Sequence, residues 1–114
     1  MAVHPIKIDL LMTKYGLHGR LEATKGNADQ LAEILIKAAE LVSTAKGCRL
    51  YAVGKDNTDE NAVWVTEIWD TKEDHGDSLN VEGVKELIAQ AMPLIAGKPE
   101  RGQELEILGG SGIE

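Results

Sequence analysis

Two apolar segments joined by a short polar one, between Gly47 and Trp69, limit the folds open to this chain more than any other stretch. Cys48-Arg49-Leu50-Tyr51-Ala52-Val53 and Ala62-Val63-Trp64-Val65-Thr66-Glu67-Ile68-Trp69 have the β-branched and aromatic content of strands. The connection Gly54-Lys55-Asp56-Asn57-Thr58-Asp59-Glu60-Asn61 is made of turn formers, so the pair reads as an antiparallel hairpin. A helix start at Thr71, with Asp74 placed to complete a capping box, follows at once and reaches His75.

The flanks supply the remaining elements. Tyr15, Leu17, Leu21 and Ala23 fall on one face of an upstream strand, with Gly19 between them, and His18, Arg20 and Glu22 fall on the other. Asn27 offers an N-cap, with Gln30 placed to close a capping box, and Ala28, Leu31, Ala32, Leu35, Ala38, Ala39 and Val42 then follow at helical spacing. This predicts an amphipathic helix of about four turns, closed by Gly47. Asn80 is placed to cap a further helix sharing Val81, Val84, Ile88, Ala91 and Ile95 on one face, and Pro93 kinks or ends it. Glu104–Leu108 alternates as a last strand. Residues 12–110 thus form one domain, preceded by an extension or extra edge strand over 1–11 and followed by a flexible tail over 111–114.

Strand, helix, strand, strand, helix, strand is the order of an α+β, ferredoxin-like fold: a four-stranded antiparallel sheet with two main helices on one face. The other face has no cover of its own. It carries Leu50 or Tyr51 and Trp64 or Val65, and a second copy packed sheet to sheet would hide them, giving a homodimer with a barrel-like core.

With 19 acidic against 12 basic residues the net charge is −7, and the lysines form no stripe, so nucleic acid and anionic membranes are poor partners. No apolar run nears the ~20 residues that span a bilayer. The lone cysteine, Cys48, makes no internal disulfide, and a cytoplasmic protein is expected. His4, His18 and His75 stand far apart with no paired-cysteine or two-histidine motif, so no metal site is expected. Gly109-Gly110-Ser111-Gly112 opens no helix and cannot serve as a phosphate loop. Trp64, Glu67, Trp69 and His75 lie within twelve positions and can wall and orient a small-molecule pocket.

Gly47-Cys48-Arg49-Leu50-Tyr51, Val65-Thr66-Glu67-Ile68-Trp69-Asp70-Thr71-Lys72-Glu73, His75, Ser78-Leu79 and Met92-Pro93-Leu94-Ile95-Ala96-Gly97 together resemble the antibiotic biosynthesis monooxygenase family, most closely its quinol monooxygenase type, over residues 12 to 110. The resemblance implies a dimeric α+β barrel with a pocket between helices and sheet, and oxidation of an anthrone-like or quinol-like substrate by molecular oxygen with no cofactor. Such chemistry needs a base, and His75 is the candidate by residue type, while Glu67 could orient it or a substrate hydroxyl or form a salt bridge to Arg20, His18 or Arg49. Trp69, Tyr51, Ser78 and Trp64 are the candidate substrate contacts; Trp64 and Trp69 are an odd number of positions apart and so on opposite sheet faces, one lining the pocket, with Trp69 favoured, and the other the dimer interface. Haem-degrading relatives use an asparagine, a tryptophan and a histidine where this chain has Gly19, Ser78 and Ile88, which argues against that activity. An isomerase of a small carbonyl metabolite and a non-catalytic small-molecule-binding dimer are the alternatives.

Overall fold

The computed structural model describes residues 13–97 and 102–113. It contains β1 (Lys14–Glu22), α1 (Ala28–Val42), β2 (Cys48–Lys55), β3 (Ala62–Trp69), α2 (Lys72–Asp77), α3 (Val84–Ala91) and β4 (Gln103–Ile107), with 3-10 turns at Ser78–Asn80 and Met92–Leu94. The four strands form one antiparallel sheet in the order β2-β3-β1-β4, the α+β ferredoxin-like arrangement. The possible strand at residues 6–10 lies outside the described residues.

Register settles which side chains share a face. Tyr15 stands opposite Trp69, Leu17 opposite Glu67, and Tyr51 opposite Glu67 on the other flank of β3. These point toward the helices, while His18, Arg20, Leu50, Trp64, Thr66, Ile68 and Leu105 occupy the other face by alternation. An irregularity between Cys48 and Leu50 gives β2 its phase and leaves Arg49 at the bulge.

α1 lies against β2 and β3 through its alanine-rich stripe, where Ala28, Leu31, Ala32 and Ile34 pack with Ala23, Val63 and Ala91. α3 packs chiefly on α1, and a hollow remains between it and the sheet. A second cluster of Val42, Trp69 and Val84 closes the far end of that hollow.

Local signals acted unevenly. The Asp74 amide donates to Thr71 Oγ1 at 3.0 Å, so the cap expected for α2 forms. Asn27 precedes α1 but makes no side-chain cap; its Nδ2 donates instead to Thr24 Oγ1 at 2.7 Å. Asn80 does not cap α3 either, because Val81 turns extended (φ −62°, ψ 133°) and Gly83, at φ +92°, sets the helix start at Val84. Pro93 ends α3 in a 3-10 turn, as expected. Ile113, within the C-terminal tail, is buried.

Candidate functional site

The site is built from the end of β3 and the helix that follows it. Strand alternation puts Glu67 and Trp69 on the helix-facing side, where Glu67 is only 8% exposed and Trp69 is wholly buried. The Trp69 Nε1–H donates to Glu67 Oε1 at 3.0 Å. The Thr71 cap then starts α2 abruptly enough to carry His75 back over the sheet, with its Nε2 3.6 Å from the same Glu67 oxygen. The imidazole ring sits between two aromatics, 5.7 Å from the Tyr15 ring and 5.9 Å, edge-on, from Trp69. Ser78 Oγ donates to the His75 carbonyl at 2.5 Å and fixes the end of α2.

These groups close one end of a cavity of about 210 Å³ between α1, α3 and the sheet. Tyr51, Glu67, His75 and Ser78 form its polar end, and aliphatic side chains of α1 and α3, with Leu79 and Ile95, line the rest. Neither Glu67 Oε2 nor the Tyr51 hydroxyl makes a hydrogen bond with any described residue, and both residues line this cavity as well as a smaller hollow beside Leu17 and Arg20. They are the groups positioned to meet a ligand's hydroxyls. Among the described residues no cluster of three histidine, cysteine, aspartate or glutamate side chains is placed to hold a metal ion.

The tryptophans fall on opposite sheet faces as expected, but the ring contact expected of Trp69 is not made. Neither lines the cavity. Trp69 stands behind Glu67 and spends its N–H there. Trp64 lies on the opposite sheet face, stacked on His18 at 4.9 Å and donating its N–H to Asp56 Oδ2 at 3.0 Å. The cations that could have neutralised Glu67 are engaged elsewhere: Arg20 with Asp59 at 2.6 Å, and Arg49 with Asp70 at 2.8 Å. His18 Nδ1 is 2.9 Å from Thr66 Oγ1. Glu67 is therefore left to Trp69 and His75.

Burial pushes the Glu67 carboxyl above its ordinary range, against the opposing pull of the Trp69 hydrogen bond and of a protonated His75. Burial also raises the Tyr51 phenol, and the Glu67 charge adds to the effect. The Cys48 thiol is raised for the same two reasons. Ile34 and Leu87 belong to the lining but were not singled out in the sequence, and Leu35 and Met92 were read there only as part of a helix stripe and of a family-like segment. Ile88 and Met92, four apart at helical spacing, were the available signal.

A family model described as antibiotic biosynthesis monooxygenase matches residues 15–90, more than half of the chain. The chain belongs to the antibiotic biosynthesis monooxygenase family. A solved structure from Chloroflexus aurantiacus, assigned provisionally to the same family, is 40% identical, with a TM-score of 0.80 over 89% of this chain and 99% of that one. A protein of unknown function from Nitrosomonas europaea is 26% identical over 88% of this chain and 94% of that one, with a TM-score of 0.72. A provisional antibiotic biosynthesis monooxygenase from Caulobacter crescentus, at 19% identity and a TM-score of 0.76 over 87% of this chain and 93% of that one, shares the fold. No curated protein matches the chain. No helix among the described residues is long and apolar enough to cross a membrane. Membership in the antibiotic biosynthesis monooxygenase family assigns the domain and a monooxygenase-type role at family level, and the chemistry of the individual protein rests on its own cavity.

Proposed function

We propose that this protein is a homodimeric monooxygenase that oxidises a small hydroxylated aromatic, of quinol type, with molecular oxygen and without a cofactor. One observation carries the reading. A buried carboxylate, tethered by Trp69 and facing His75, stands with Tyr51 and Ser78 in a cavity whose other walls are aliphatic, with one oxygen and a tyrosine hydroxyl free of hydrogen bonds from described residues. An apolar cavity of ~150 Å³ already admits benzene, so about 210 Å³ suits a single ring with its hydroxyls. A three-ring anthrone would project through the mouth.

In this scheme a substrate hydroxyl donates to Glu67 Oε2, and its proton passes to the His75–Glu67 pair, where the carboxylate stabilises the imidazolium that forms. The aliphatic walls exclude water from the electron-rich phenolate that results. Oxygen attacks the ring; one oxygen atom stays as a new carbonyl or hydroxyl and the other leaves as water, so a hydroquinone plus O2 yields a hydroxyquinone plus H2O. Tyr51 is placed to hold the second hydroxyl.

The dimer is supported by the bare sheet face. Leu50, Trp64, Ile68 and Leu105 share it, and no helix among the described residues covers them, as in a face built to meet its own copy. Oxygen-electrode measurements on metal-stripped protein with a hydroquinone panel test the reaction. Uptake should fall about 100-fold or more in His75→Ala, with circular dichroism unchanged. Product formed without oxygen uptake would assign an isomerase instead, and thermal stabilisation with no product would assign a binding protein.

A further inference from the structure

The cavity is polar inside and apolar at its mouth. Its one carboxylate, Glu67, is only 8% exposed, whereas three of its lining residues, Leu79, Ile88 and Met92, are large, apolar and 44%, 41% and 48% exposed. A compact polyhydroxylated metabolite bound in such a site would turn its remaining polar edge toward that aliphatic rim, and gain nothing from it. An amphiphile with a hydroxylated ring at one end and a hydrocarbon chain at the other matches the gradient along its whole length. From this polarity, and resting on the hydroxylated-aromatic reading above, we propose that the substrate carries an aliphatic side chain and that Leu79, Ile88 and Met92 are the residues that select for it.

The placement of the three supports one linear occupant. Ile88 and Met92 are one helical turn apart and so share a face at the end of α3, and Leu79 comes from the 3-10 turn that precedes that helix. No lysine or arginine lines the cavity among the described residues, and its one carboxylate is Glu67, which disfavours a fatty acid and favours a neutral head group. A second copy is not the occupant, because the face left bare for it is the opposite side of the sheet.

Calorimetric titration under nitrogen with 2-alkylhydroquinones, from methyl to octyl, tests this without requiring turnover. A fully buried methylene is worth about fourfold in affinity, and a rim that stays half in water about twofold, so affinity should rise by roughly two- to fourfold per added carbon. In Ile88→Gln/Met92→Gln, at exposed positions that tolerate a polar side chain, the rise per carbon should flatten. Affinity independent of chain length, or equal slopes in wild type and variant, would overturn the proposal, as would octanoate binding as tightly as octylhydroquinone. If no hydroquinone binds at any chain length, the substrate reading falls together with this one. A chain-length slope in a protein that consumes no oxygen overturns only the reaction and leaves the rim assignment standing.

Discussion

Trp64 and Trp69 belong to the same strand and differ mainly in the side to which they point. On the helix side Trp69 loses all contact with water and spends its one polar atom on a carboxylate that is itself buried. On the open side Trp64 keeps part of its surface, stacks on His18 and bonds an acid of the β2–β3 connection. A buried indole N–H must find an acceptor, and on the helix side the acceptor is the group that defines the site. The tryptophan that looked like a ring contact thus supports the chemistry from behind. The open-side tryptophan belongs to a surface whose apolar residues await a cover.

The contrast is broken or kept by replacing each ring in turn. Trp69→Ala empties a site with no solvent to fill it and should cost about 3–5 kcal/mol. Trp64→Ala should cost about 1–2 kcal/mol, a part-exposed stack and one hydrogen bond. Urea denaturation measures both, at a protein concentration low enough that self-association adds nothing. Equal losses would mean that the two faces are not energetically different. Trp69→Phe sharpens the point, since it keeps most of the packing but strips Glu67 of its donor. A loss of about 1–3 kcal/mol is expected there, with an altered pH dependence of any turnover.

Next in size is a glycine on the helix side. Gly47 takes φ +81° at the third position of a turn closed by Cys48 N–H to the Ala45 carbonyl, where a type II turn needs glycine. A Cβ there would also overlap the carboxylate of the buried Asp74, standing 2.7 Å from its Cγ. Asp74 is the third residue of α2 and donates its amide to the Thr71 cap, so a displacement is passed one residue on to His75. Gly47→Ala should cost about 2 kcal/mol from backbone strain alone and lower turnover further by moving the imidazole off Glu67. A variant of wild-type stability would show that the turn relaxes freely. Gly54→Ala is the control, because nothing lies within 4 Å of a Cβ at that position.

The alternation of β1 and β3, the stripe of α1 and the Thr71 cap were readable because each depends on near neighbours in the chain, and with them came the α+β order and the separation of the two tryptophans. Asn27 takes the N-cap position as expected but Thr24 captures its side chain, and Asn80 was misread because the Gly83 turn moved the helix start past it. The pairing of Glu67 with His75 was named among the options, but choosing it needed the positions of Arg20, Arg49 and His18, which tertiary contacts set. The cavity walls were the least legible, since an aliphatic residue facing a hollow has the same local pattern as one facing a core.

The smallest expected effect concerns the two acids that bracket the end of β3 and titrate in opposite senses. Burial raises Glu67, so its contribution favours the fold at low pH and is eroded as pH rises through the raised value. Asp70 is held down to about 2, first by hydrogen bonds from Arg49, which reaches it from the β2 bulge at 2.8 and 3.0 Å, with Lys14 of β1 adding a bond at 3.2 Å. Its stabilisation is therefore complete above the ordinary aspartate range and disappears as pH falls from about 4 toward 2. Because its side chain is 34% exposed, the shift must be discounted for solvent screening, and Asp70→Asn should cost less than about 1 kcal/mol at pH 6. The deciding measurement is the difference in urea midpoint between wild type and variant across pH 6 to 2.5, which should shrink toward zero at the acid end. A difference that stays constant would mean that Asp70 acts through its shape and backbone position at the strand end, and that its charge contributes nothing to tying β1, β2 and β3 together.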